Sequence, residues 1–86
     1  MANAVKVMQL RHLGRELSTA LELALVGRAP APLVEQLASA TGLVVALAEL
    51  PLDTEALRAW SLDAVSRAER ALERWHTWGQ QKNAVA

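Results

Sequence analysis

The chain has no cysteine, no phenylalanine and no tyrosine, and only three prolines and four glycines among its 86 residues. Without cysteine, neither a disulfide nor a thiolate-bound metal can staple so small a fold. Trp60, Trp75 and Trp78 are the whole aromatic complement, so most of the bulk in any core must come from leucine and valine. The glycines, at positions 14, 27, 42 and 79, stand alone, and no glycine-rich phosphate loop can be built from them. A surplus of either charge is also lacking, because nine basic residues cancel nine acidic ones. That balance disfavours nucleic acid as the main partner, which usually selects a basic surplus or stripe. The uncharged run over 36–48 falls short of the ~20 apolar residues that a bilayer demands. Lys6, Gln9, Arg11 and His12 interrupt the N-terminus where a signal peptide would keep an apolar core. The expectation is a soluble cytoplasmic chain with no membrane span. Its wealth of Ala, Leu and Arg suits a GC-rich bacterial or phage gene.

What the chain has is helical periodicity, punctuated twice. Gly27-Arg28-Ala29-Pro30-Ala31-Pro32 closes one helix and opens another, with Pro32 placed for a first turn. Leu50-Pro51-Leu52-Asp53 makes the second break. After it, Asp53 or Thr54 caps a third helix, Glu55 favours its first turn, and Leu52 staples onto Leu57. These signals predict helices over about 3–26, 32–49 and 54–78. Gly79 is read as a stop and 80–86 as a frayed tail, so the domain covers 1–79.

In the first helix Val7, Leu10, Leu13, Leu17, Leu21, Ala24 and Leu25 recur at spacings of three and four and share a face. Met8, Leu23 and Val26 fall on the other side, either as scattered surface residues or as a second contact surface near the helix ends. The third helix gathers Leu57, Trp60, Ala64, Ala68, Ala71, Leu72, Trp75 and Trp78 on one face and charged residues on the rest. The second helix is the unusual one. Between Pro30 and Leu52 the only charges are Glu35 and Glu49, and Leu33, Val34, Leu37, Leu43, Val44, Val45, Leu47 and Leu50 spread over more than half the circumference. Such a helix must be covered on several sides. Ala38, Gly42 and Ala46 recur every four residues and would admit a second backbone closely; Gly42 is also the point where the helix could break. The short connections imply an all-α, up-down-up bundle of three antiparallel helices. Self-association, with a homodimer as the expected state, would complete the burial of the second helix.

Groups able to do chemistry are sparse. His12 precedes Glu16 by one turn, and Glu73 precedes His76 by three residues. Pairs of this kind are ordinarily solvated, and a two-histidine zinc helix would need both histidines on one helix. The serines at 18, 39, 61 and 66 lack a nucleophile elbow. Glu69 and Glu73 alternate with Arg70 and Arg74 as a salt-bridged surface does. The expectation is therefore not an enzyme, with no catalytic residue, no metal ligand and no cofactor. The leading reading is a small interaction module of adaptor, chaperone or inhibitor type that presents apolar helix faces to another protein. Self-association is assigned to Leu33, Leu37, Val44, Val45 and Leu47, and partner anchoring to Trp75 and Trp78. The alternatives are a DNA-binding regulator using helix 54–78 and a purely structural helical oligomer.

Overall fold

The structure, a computed structural model, describes the backbone of residues 7–50 and 54–85. Three helices pack on one another as an all-α bundle: α1 (Val7–Val26), α2 (Ala31–Ala48) and α3 (Glu55–Val85). The described residues include no strand. The expectations for residues 3–6, Leu52 and Asp53 lie outside the described residues.

The helix ends follow local chemistry. At the end of α1 the Gly27 amide donates to the Leu23 carbonyl at 2.8 Å, and the Ala29 amide to the Ala24 carbonyl at 2.9 Å. The second bond, from an amide to the carbonyl five residues earlier, closes a left-handed cap. The residue that takes the left-handed conformation is Arg28, at φ 57°, and not Gly27. Pro32 sits in the first turn of α2, as expected. Thr54 caps α3, its hydroxyl oxygen accepting the Leu57 amide at 3.1 Å.

Two glycines behave differently from what the sequence suggests. The second helix is continuous from Ala31 to Ala48, so Gly42 does not break it. The third helix runs through Gly79 to Val85, so Gly79 does not stop it. Neither glycine has a positive φ, so neither is forced out of the helix. Gln80, Gln81 and Lys82 are good helix formers, and Lys82 lies in the last turn, where a cation offsets the helix dipole. A Cβ added at Gly42 or Gly79 would meet nothing within 4 Å. Gly42→Ala and Gly79→Ala should therefore each stabilise the fold by about 1 kcal/mol, read as a raised urea midpoint with unchanged slope.

The core is leucine and valine from α1 and α2 against alanine from α3. Leu10, Leu17, Leu37 and Val44 are fully buried, as are Ala64, Ala68 and Ala71. Four of the five residues assigned to self-association, Leu33, Leu37, Val44 and Leu47, belong to this core. That corrects their role: α1 and α3 already cover them, and they have no surface left for a second chain. Val45 alone of the five is exposed.

On α3 the buried face is turned slightly from the one read in the sequence. Ser61 is wholly buried and Trp60 is 62% exposed, the reverse of the expectation. A small hydroxyl buries without penalty when it is paired, and Ser61 donates to the Arg58 carbonyl at 2.7 Å. Indole bulk at the same place would push the helices apart.

Candidate interaction surface

The tryptophans assigned as anchors lie at the edge of the core. Trp75 and Trp78 are half-buried and stack on one another, with ring centroids 5.5 Å apart and planes at 26°. Trp78 reaches across to the end of α1, where its Cη2 lies 3.6 Å from the place a Gly27 Cβ would occupy. The Lys82 ammonium sits 5.1 Å from the Trp78 ring centroid, within cation–π range. These contacts lock the pair onto the bundle, with part of each ring open to solvent.

Trp60 is the aromatic residue that the sequence reading misplaced. It does not stand alone: Met8 in the first turn of α1, Val45 and Leu50 at the end of α2, and Leu62 near the start of α3 are also exposed. Leu23, Leu25 and Val26 form a second exposed group in the last turn of α1. The spacing puts Leu25 on the buried face; the α1 seam instead centres on Leu10, Leu13, Gly14, Leu17, Ala20 and Ala24. The bundle's middle is closed, and its bulky apolar exposure collects at helix ends. The signal for this was the apolar character of Leu50, Trp60 and Leu62 on either side of a proline break, which helical periodicity alone assigns to no face.

Polar side chains form two further groupings. His12 and Glu16 pair at 2.5 Å. With Trp75 and His76 they line one cleft between α1 and α3, so the two histidines are brought to the same place. Both are exposed. No group of three or more histidines, aspartates or glutamates able to hold a metal ion occurs among the described residues.

The second grouping follows the seam between α2 and α3. Arg67, Arg70 and Arg74 line an open cleft opposite Gln36, Ser39 and Leu43. Arg67 is engaged, its Nε donating to Asp63 at 2.8 Å. Arg74 donates through Nη1 to the Gln36 side-chain oxygen at 2.5 Å, which ties α3 to α2. Arg70 makes only a long bond, 3.4 Å, to the Ser66 carbonyl.

By length and composition α2 meets the lower limit for crossing a bilayer, with 18 residues and a mean hydropathy of 1.5. It also forms the centre of the bundle, with Leu33, Leu37, Ala40, Val44 and Leu47 buried against the neighbouring helices. No protein-family model, no curated protein and no solved structure matches the chain.

Proposed function

We propose that this chain is a non-enzymatic helical interaction module that works by apolar contact, first of all with a second copy of itself. The observation that carries this reading is a surplus of surface. A compact monomer of 9.3 kDa exposes about 5,000 Å² by the size scaling of folded proteins, whereas this chain exposes 6019 Å². Its radius of gyration, 14.0 Å, likewise exceeds the roughly 12 Å of a compact domain of this length. A standard interface takes about 800 Å² from each partner, which the surplus covers.

An antiparallel order of the helices places that surplus. In support of it, Arg11, Gly14 and Arg15 from the first half of α1 share a cleft with Val45, Ala48 and Glu49 from the end of α2. Pro30, Leu33 and Gln36, at the start of α2, share another with Arg74, Trp78 and Gln81. In this order Met8, Val45, Leu50, Trp60 and Leu62 all belong to one end. The Gln36–Arg74 bond fixes the register of α3 against α2. Measured from that bond, α3 extends about 29 Å toward Glu55, but α2 only about 18 Å toward Ala48. The first turn of α3 extends beyond the end of α2, and Trp60 is uncovered because it faces away from the seam that buries its neighbour Ser61. An exposed apolar end suits a second copy, which would present the same patch about a twofold axis.

The contact moves in this way from the buried residues of α2 to this end. Trp60→Glu tests it: the variant should keep its helicity and bind its own kind at least tenfold more weakly, since a buried interfacial tryptophan is a typical hot spot. Unchanged association in light scattering would remove this end from the interface.

A further inference from the structure

A different surface carries an inference beyond self-association. The two open clefts along α2 and α3 share Gln36, Arg70 and Arg74, and so form one continuous groove. It runs from Arg67 to Gln81 on α3, a distance of about 21 Å and enough for about 14 residues of another helix. Leu43 lines one part of it, and Trp78 the other. Along its middle, Arg70 and Arg74 are exposed and lie one helical turn apart. Among the described residues the arginine–carboxylate pair is Arg67–Asp63, so neither of these two guanidinium groups has a carboxylate partner there. We infer that this groove binds an acidic amphipathic helix of a partner protein, whose carboxylates, one turn apart, meet Arg70 and Arg74 while its apolar side rests on Leu43 and Trp78.

The chemistry of the groove selects that occupant. Residues four apart on a helix lie about 5–6 Å from one another, so two carboxylates at the same spacing can engage both arginines at once. Guanidinium–carboxylate hydrogen bonds are charge-assisted and often bidentate, and Arg70 is free to make them. The Arg74–Gln36 bond is between a cation and a neutral amide, and a carboxylate is the stronger acceptor. Glu35 and Glu73 also line the groove, so its positive charge is confined to the Arg70–Arg74 pair, which matches two carboxylates one turn apart better than the continuous charge of a polyphosphate backbone. The apolar walls would also lie idle against a phosphodiester strand.

The probe is a fluorescein-labelled helical peptide of about 14 residues built from Ala, Leu and Glu, with the glutamates four apart on one face. Fluorescence anisotropy at low ionic strength should show saturable binding that weakens as salt is added. The double variant Arg70→Ala, Arg74→Ala should weaken it about tenfold or more, and Arg58→Ala, on α3 but outside the groove, should not. Gln36→Ala breaks the same α2–α3 bond as the double variant but keeps both charges, and should retain binding, which separates lost charge from lost fold. Trp60→Glu should also retain it, so the groove and the apolar end are tested apart. Absence of saturable binding by the acidic peptide would overturn the inference. Equal weakening by Arg58→Ala, or tighter binding of a single-stranded DNA of matching length, would overturn it as well.

Discussion

Replacing Val44 with Glu should unfold the protein at 25 °C. Val44 is fully buried and belongs to a core with Leu10, Leu17 and Leu37. An ionised carboxylate there would have no water, and it would face leucine and valine. An unpaired buried charge costs several kcal/mol even after the structure relaxes. A chain of 86 residues has a total stability of about 4–13 kcal/mol, so a loss of that size takes most or all of it. The neighbouring change, Val45→Glu, should cost under about 1 kcal/mol, because Val45 is 46% exposed and a glutamate can turn its carboxylate to solvent. Far-UV circular dichroism with urea titration separates the two: a cooperative transition for the second and none for the first. A cooperative, near-native Val44→Glu protein would mean that α2 does not pack as described.

The second large effect is expected on α3. Ala64, Ala68 and Ala71 are fully buried, at spacings of three and four, and set how closely α3 approaches the other helices. Leucine at position 68 adds three carbon atoms to a seam where the existing methyl group already has no exposed surface. Overpacking of this kind costs about 1–3 kcal/mol through shifted backbones and unfavourable rotamers. For a domain of this size that lowers the melting temperature by roughly 5–20 °C. Ala59→Leu is the control, since Ala59 is exposed and the change should leave the melting temperature within a few degrees. Equal melting temperatures for the two variants would show that the alanine seam does not govern the helix spacing.

Helix number, order and most of the buried face were legible in the sequence because they rest on local signals. Pro32 and Thr54 set helix starts, and Leu10, Leu13 and Leu17 repeat at helical spacing; the structure has each of them where that logic places it. The errors have physical causes. Gly79 resembles a stop, but a glycine halts a helix only where the backbone must turn left-handed, and here Arg28 makes that turn while Gly79 stays helical. Periodicity puts Trp60 in the core because it ranks hydrophobicity above size. Close packing favours Ser61 instead, since its hydroxyl is satisfied within its own turn. Val44 and Val45 were given the same role, although adjacent residues on a helix point about 100° apart; one is core and the other surface.

The candidate surfaces were less legible than the core because they depend on how each helix is turned against its neighbours. Trp60 and Leu62 flank the buried Ser61 and are exposed, as is Leu50 just past the end of α2 at Ala48, a packing choice that sequence periodicity does not encode. The arginine groove was hidden for a similar reason. Arg67, Arg70 and Arg74 alternate with acidic residues along the chain, and only the seat of α3 against Gln36 and Leu43 brings the three arginines to one cleft. Apolar excess in α2, which suggested a buried interface between copies, is consumed within the chain. The bulky apolar residues that stay exposed lie in two groups near helix ends, Leu23, Leu25 and Val26 in one and Met8, Val45, Leu50, Trp60 and Leu62 in the other.

Pairing of the apolar end with a second copy, as proposed, is tested most directly by the solution mass. Light scattering across roughly a hundredfold range of concentration should give a mass near twice the chain's 9.3 kDa, falling toward the single-chain value on dilution. A folded protein with the mass of one chain at every concentration would contradict it.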